Sequence, residues 1–598
     1  MKKILLSITF ALMGIASGFA AKAYSGIVTV TQSDGTELNV RIYGDEHFNW
    51  LTTEDGVLLV QEGNNYYIAE TTSYGTLKAT NYIAHNANKR LPAEIKAIKK
   101  QDLSRFRSYA IQKTSPAKAM GTGNNGVKYF PHSGSPKALV ILVEFSDTPF
   151  QSGEKAKNVF EHFLKGKAED NLPDGYEAYT GSYKNKYNLR NKGSVSDYFY
   201  DMSKGTYTPQ FDVVGPYKLN HSSLYYGQGD KDNTYALVSD ACKAADKDVD
   251  FSRYDADGDG MVDLVYLIYA GYPASMSGNP NDIWPKSGPG NDSFGTYDGK
   301  KVCRYGVHAE LNFGRELNQK NGFLLSGIGL FCHEFSHTLG LPDLYPTVDA
   351  SKVDNQNPEM WDLMDGGEYT YNGGYCPTPY SPWEMDAMGW ATPIELSDEK
   401  QTVTLKSYGK ERIAYKIKGE NNEYLLLQNI QIGGWWTGVA LVYKTGMLVW
   451  RIDYNNKDVN LFDNPNNTLG KPKVMIVPAD GYVISDYNHG DGKQWTNDQY
   501  KESLQGDPFP GTTKRTELLS VTLNNSTLEK PIYNIKEENG VITFDYLDNI
   551  SAIQLPSVDE TDMTTKQIFS LDGRYLGNDA SKLTKGIYII GKKKVVIK

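Results

Sequence analysis

Ser326–Tyr345 reads SGIGLFCHEFSHTLGLPDLY, and the spacing within it decides what the rest of the chain is built around. Ile328, Phe331, Phe335 and Leu339 recur at helical intervals, which predicts a helix with one face in the core. His333 and His337 are four apart and stack on another face, where two imidazoles reach one metal ion. Glu334 follows the first histidine, so its carboxylate lies beside a water on that metal without being a ligand. Gly340 stands where a helix ends most easily, in the left-handed conformation, and lets Asp343 return toward the same ion. Downstream, Trp361-Asp362-Leu363-Met364-Asp365 offers a methionine turn, with Met364 as a hydrophobic base beneath the metal. The competing reading, a buried helix with two incidental histidines, leaves two imidazoles and a carboxylate without the partner a metal supplies.

On the amino-terminal side, Ala138 opens a run of buried-strand character, ALVILVEFSD. From there strand-like and helical segments alternate to about Pro393, as in a unit with a mostly buried sheet. Residues 26–70 alternate apolar and polar around Asp34-Gly35, Asp55-Gly56 and Gly63-Asn64-Asn65, the pattern of a β-meander. Residues 90–113 read as helical and basic. A Gly-, Ser-, Asn- and Pro-rich stretch over 114–136 then marks a boundary and an exposed cleavage region. Beyond Pro393 short strands take over, at 402–406, 413–417, 424–428, 447–454, 474–477 and 541–546, which suits a β-sandwich appendage.

The 598 residues correspond to about four domains at ordinary domain size. With 39% hydrophobic and 22% charged residues, wholesale disorder is excluded. A net charge of −10 is the wrong sign for a protein whose main partner is nucleic acid or anionic lipid. At the start, Lys2 and Lys3 precede an uncharged run from Ile4 to Ala21, followed by the small-x-small sites Gly18-Phe19-Ala20 and Ala21-Lys22-Ala23. This predicts a secretory signal peptide and a mature chain with no membrane-spanning segment. At the end, residues 567–598 hold three short apolar runs separated by Gly, Asn and Asp, a small β-module. The expected division is signal peptide 1–23, pro-region 24–130, catalytic unit 131–392, β-rich appendage 393–548 and carboxyl-terminal module 549–598.

A second metal candidate lies at Asp255, Asp257, Asp259, Met261 and Asp263, with Gly260 at the sharp turn, as in the first nine places of a calcium loop. Tyr266 stands where the twelfth-position glutamate belongs, so a bidentate ligand has to come from elsewhere, such as Asp250. The alternative is a solvated acidic turn. Cys242, Cys303, Cys332 and Cys376 form no CxxC pair; they pair in one of three ways or stay thiols. Cys332 is expected on the core side of its helix. Trp435-Trp436 is expected to pack within the appendage rather than line a carbohydrate site.

HExxHxxGxxD is the metzincin arrangement with aspartate in place of the usual third histidine. HEFSHTLGLPDLY, VDLVYLIYAG, IWPK, WDLMDGG and SPWEMDAMGW, together with QSDGTELNVRIYGDEHFNWLTTEDG, EYLLLQN and GDPFPGT, resemble the immune inhibitor A family of secreted zinc metallopeptidases over most of residues 30–545. The amino-terminal stretch looks like that family's pro-region. The resemblance implies an α+β, metzincin-like catalytic domain with a twisted sheet and an active-site helix, flanked by a β-rich pro-region and a β-sandwich-like region. It further implies one Zn2+ on His333, His337 and Asp343, Glu334 as base toward the zinc-bound water, and hydrolysis of protein or peptide substrates by an enzyme made as a zymogen.

The tyrosine some metzincins carry two residues after the methionine is absent, since Gly366 stands there. Tyr369, Tyr371 and Tyr380 are candidates for stabilising the oxyanion. The wording SLDGR, LTKGIYII and KKVVIK resembles a type IX (Por) sorting domain, which implies outer-membrane secretion machinery as partner and delivery to the cell surface or medium. Two other functions stand beside the peptidase: a catalytically silent surface adhesin or glycan-binding protein on the same scaffold, and a zinc amidase acting on peptidoglycan.

Overall fold

The strand Lys137–Glu144 shows why its six-stranded sheet is central: every residue from Ala138 to Val143 is buried, on alternating faces. Ala138, Val140 and Leu142 enter one hydrophobic core, and Leu139, Ile141 and Val143 enter another on the opposite side. Such a strand has no wet face, which explains its uninterrupted apolar run. The computed structural model describes residues 19–45, 48–114, 128–167, 170–183, 190–227, 233–290, 292–347, 357–454, 464–482, 496–549, 567–571, 573–590 and 593–597.

We label the strands of this sheet β1 (Phe19–Ala20), β2 (Lys137–Glu144), β3 (Gln210–Lys218), β4 (Val265–Tyr269), β5 (Lys286–Pro289) and β6 (Arg304–Ala309). Their spatial order is β1-β5-β6-β4-β2-β3. Strands β6, β4, β2 and β3 run parallel, while β5 lies antiparallel, with Lys286 opposite Val307, and is the edge strand but for the two-residue β1 beyond it. One face is covered by α1 (Ala156–Lys165), α2 (Val195–Met202) and α4 (Ile328–Thr338), the other by α3 (Thr234–Ala245).

Just beyond β6, Glu310 is fully buried and accepts from the Tyr179 hydroxyl (2.7 Å), the Gln151 amide (2.7 Å) and the Gly271 amide (3.2 Å). Burial pushes its carboxyl up to about 7, against the help of those donors. The folded state therefore binds a proton that the unfolded chain releases, and stability should fall as pH rises from about 4.5 to 7, by on the order of 3 kcal/mol. Glu310→Gln is expected to flatten that slope in denaturation midpoints measured between pH 5 and 8.

Residues 28–83 form six strands paired in sequence order, the expected meander. Its core takes in Ala274 and Trp284, and the Tyr66 hydroxyl donates to the Gly278 carbonyl (3.1 Å). Two helices follow, Pro92–Ile98 and Leu103–Thr114. The segment 115–127, which contains most of the predicted cleavage region, lies outside the described residues, as do residues 1–18 of the predicted signal peptide.

After Pro393 a five-stranded sheet (Ile394–Glu395, Tyr415–Lys418, Glu423–Ile430, Gly446–Asp453, Val474–Ile476) and a three-stranded one (Gln401–Leu405, Val541–Tyr546, Ile532–Glu538) share a core of Leu405, Ile417, Leu425, Val449, Ile542 and Phe544. Alternate residues of the larger sheet, Leu426, Leu448 and Trp450, belong instead to the catalytic core. Helices Thr437–Tyr443 and Asn497–Gly506 add to this β-rich region.

Trp435 and Trp436 do not pack within the appendage alone. Both are buried, and the Trp435 indole donates to Asp201 (2.8 Å) with its ring edge-on to Tyr198. The last module has four strands where three runs are legible, because Tyr575–Gly577 is too short and too exposed to stand out. All four cysteines are thiols, and Cys332 is buried in the core. Among the described residues no helix is long and apolar enough to cross a membrane.

Candidate active site

Helix α4 is buried along its whole length. Phe331 and Phe335 wedge it against the sheet and its covering helix: Phe331 lies on Tyr266 (centroids 4.2 Å apart), and Phe335 meets Phe199, Phe211 and Phe130. Gly329 lets another segment come close, since a β-carbon there would fall 2.0 Å from the Glu368 carbonyl oxygen. At the other end Gly340 takes φ +107°, which favours glycine and turns the chain back.

That turn brings Asp343 to both histidines. His333 Nε2 and His337 Nε2 are 3.2 Å apart, and Asp343 Oδ1 lies 3.3 and 3.2 Å from them respectively. His333 Nδ1 faces the Leu363 carbonyl (2.9 Å) and His337 Nδ1 faces the Leu341 carbonyl (2.8 Å). A carbonyl accepts only from N–H, so both Nδ1 atoms carry the proton and both Nε2 lone pairs point at one spot. Tetrahedral zinc with bonds of about 2.0–2.1 Å holds its ligand atoms roughly 3.3 Å apart. The three donor atoms already have that spacing, and three lone-pair donors facing one another in a buried site repel unless a cation lies among them. The residues fit a zinc ion.

The electrostatics agree with this geometry. Burial opposes ionisation of Asp343, and only positive charge at the His337 and His333 positions holds its carboxyl down, the charge that a cation among the three donors supplies when both imidazoles are neutral. Burial pushes Glu334 the other way, up to about 8, only partly offset by His337. Among the described residues its Oε2 meets no hydrogen-bond partner, and its Oε1 accepts the Ala21 amide at 2.6 Å.

Met364 is fully buried in the predicted turn. Its carbonyl accepts the Leu344 amide (2.8 Å), and its own amide donates to Asp362 Oδ1 (2.8 Å). Asp362 and Glu384 form a buried carboxyl pair in which burial, followed by its partner's charge, pushes Glu384 well up. Asp362 accepts the Met364 amide (2.8 Å) and the Ser381 amide (3.1 Å), which fixes the loop whose Leu363 carbonyl orients His333. Glu368 also reaches His333 Nδ1, at 3.3 Å. Asp362 as anchor, Glu384 and Glu368 escape sequence reasoning, because their partners are distant in the chain.

Of the three tyrosines, Tyr371 is exposed, Tyr380 is engaged with Ser336 Oγ (2.5 Å) inside the core, and Tyr369 alone touches the segment in the cleft. That segment is residues 19–24. Strand β1 pairs antiparallel with the edge strand β5, Phe19 with Ser287 and Ala20 with Lys286. The Trp284 indole donates to the Ala21 carbonyl (2.8 Å), and the Tyr369 hydroxyl donates to the Lys22 carbonyl (2.7 Å).

In the acidic loop the structure brings together Asp255, Asp257 and Asp263. Lys300 pairs with Asp255 (2.6 Å), and Lys128 pairs with Asp257 (2.7 Å) and Asp259 (2.9 Å). Met261 begins a two-residue strand paired with Lys301. Asp250 is no part of the cluster; it caps the turn at Phe251–Tyr254 through Ser252.

Residues 128–390 match the family model described as immune inhibitor A peptidase M6, catalytic domain. The chain is 27% identical over 334 residues to immune inhibitor A of Bacillus thuringiensis subsp. alesti, covering 48% of this chain and 44% of that protein. It is 24% identical over 282 residues to the pre-pro-metalloprotease PrtV of Vibrio cholerae, covering 41% of this chain and 29% of that protein. The chain thus spans less than half the length of these relatives. The match and the buried histidine and aspartate cluster together make residues 128–390 a metallopeptidase catalytic domain.

Proposed function

We propose that the protein is a secreted zinc metalloendopeptidase, held latent by its own amino-terminal segment. The observation that carries this reading is the seat of Ala21: its amide nitrogen lies 2.6 Å from Glu334 Oε1, beside the two histidines and Asp343. His333, His337 and Asp343 would hold the zinc ion. When bound, zinc polarises the scissile carbonyl and acidifies a water molecule.

Glu334 is the proton carrier. Its carboxyl lies beside the metal-ligating histidines and against a backbone nitrogen, where it is placed to take a proton from water and return it, as general acid–base catalysis requires. Its Oε1 faces an amide nitrogen in the position a leaving amine would occupy, so the proton taken from water at Glu334 passes to that nitrogen. Trp284 and Tyr369 orient the backbone on the carboxyl-terminal side of the bond, and edge strand β5 aligns the other side by strand pairing. Leu363 and Leu341 keep the imidazole tautomers fixed.

The same contacts support latency, since residues 19–24 fill the place of a substrate. Residues 19–23 fall within the signal peptide expected over 1–23, so the latent state with the cleft filled is that of the chain before signal cleavage. Export and the sorting role of residues 567–598 belong to the same proposal. The carbohydrate reading is weakened by the burial of both Trp435 and Trp436. Chelation is expected to abolish cleavage of denatured protein by the chain nicked within residues 115–127, and added zinc to restore it; unchanged cleavage after chelation contradicts the reading.

A calcium ion on Asp255, Asp257 and Asp263 is a further part of the proposal, and it has to displace Lys300 and Lys128. Millimolar calcium should then raise the melting temperature of chelator-washed protein, and more so in Lys300→Ala. No shift in either form counts against the ion.

A further inference from the structure

We infer that the acidic recess formed by Glu359 and Asp365, filled here by Lys22, is a substrate subsite for a lysine or arginine side chain at the second position after the scissile bond. The inference rests on the peptidase reading above and adds a specificity to it.

The register comes from the chain in the cleft. Phe19 and Ala20 pair with β5, and the Ala21 nitrogen sits on Glu334. The Ala20–Ala21 peptide therefore lies where a bond is cut, Ala21 is the first residue beyond it, and Lys22 is the second. The Trp284 and Tyr369 contacts are to the carbonyls of Ala21 and Lys22, so they hold any sequence in the same register.

The chemistry comes from the Lys22 side chain. Its ammonium lies 2.9 Å from Asp365 and 3.4 Å from Glu359; Lys22 is 2% exposed and both acids are 0% exposed. The Tyr500 hydroxyl (2.8 Å) and the Asn357 amide (3.1 Å) donate to Glu359 and orient it. Glu368, also fully buried, lies within the field of the Lys22 charge. When residues 19–24 leave, buried carboxylates lose their cation, which is costly in a dry recess. A basic side chain from a substrate restores the pairing, and an apolar or acidic one does not.

The test uses the full chain, zinc-loaded, in the Glu334→Ala form, nicked between residues 114 and 128 so that the amino-terminal segment exchanges with added peptide. By fluorescence anisotropy, labelled Ala-Lys-Ala-Tyr-Ser should bind about 30-fold more tightly than the same peptide with norleucine for lysine, the expected loss for removing one partner of a buried pair. Asp365→Asn should shrink the difference. Equal binding of the two peptides overturns the inference, and because that comparison varies only the peptide, a misfolded variant cannot obscure it. A second arm maps the cuts made by nicked wild-type chain in a denatured protein. Cuts without enrichment of Lys or Arg two residues downstream overturn the recess and leave the peptidase reading standing. Lysine-selective binding without any cutting by the wild type overturns the peptidase reading and leaves the recess.

Discussion

Glu334→Gln is expected to yield a chain that takes up zinc as the wild type does but hydrolyses denatured protein about a thousandfold more slowly or worse, as general acid–base roles of this kind imply. The amide keeps the shape of the carboxylate and can still meet a neighbour in the cleft, but it cannot take a proton from water or return one to the leaving nitrogen. Zinc uptake should survive because the donor atoms lie on His333, His337 and Asp343 and not on Glu334. Metal content and initial rates on one preparation check both halves. Robust hydrolysis by the variant contradicts the assignment, and loss of zinc along with activity moves Glu334 among the ligands.

Lys22→Glu carries the second large effect. It places a third carboxylate in the recess of Glu359 and Asp365, where the wild type has an ammonium 2% exposed. Breaking a buried pair costs about 3–5 kcal/mol, so the population of chains with an empty cleft should rise by at least about a hundredfold. The un-nicked variant is then expected to cleave a quenched peptide readily, while the un-nicked wild type stays nearly silent until cut. If the variant is as silent as the wild type, and both become active on nicking, latency does not depend on residues 19–24.

How far the sequence foretells this molecule depends on how local each signal is. Helix α4 is legible because four apolar residues, two histidines and a glycine repeat within one short stretch, and the structure places each on the face the spacing assigns. The double burial of Lys137–Glu144 is legible from its apolar run. The seat of Ala21 on Glu334 is not, because it joins residues 313 apart through a single backbone contact. Glu359, Asp365 and Glu368 read as ordinary loop acids, and only the arrival of Lys22 from the far end of the chain gives them a shared role. Trp435 likewise reveals nothing about Asp201 and Tyr198, which belong to a helix more than 200 residues earlier. Asp250 fails for the opposite reason: a nearer partner, Ser252, captures it.

The peptidase reading needs His333, His337 and Asp343 to form a zinc site on which the chemistry depends. Its most direct test is the zinc content per chain of wild type and Asp343→Ala, measured by mass spectrometry after dialysis against a weak chelator. About one zinc is expected per wild-type chain and a small fraction of that in the variant, since a three-ligand site losing one ligand holds metal poorly. Full zinc retention by Asp343→Ala, or no zinc in an active wild type, would contradict it.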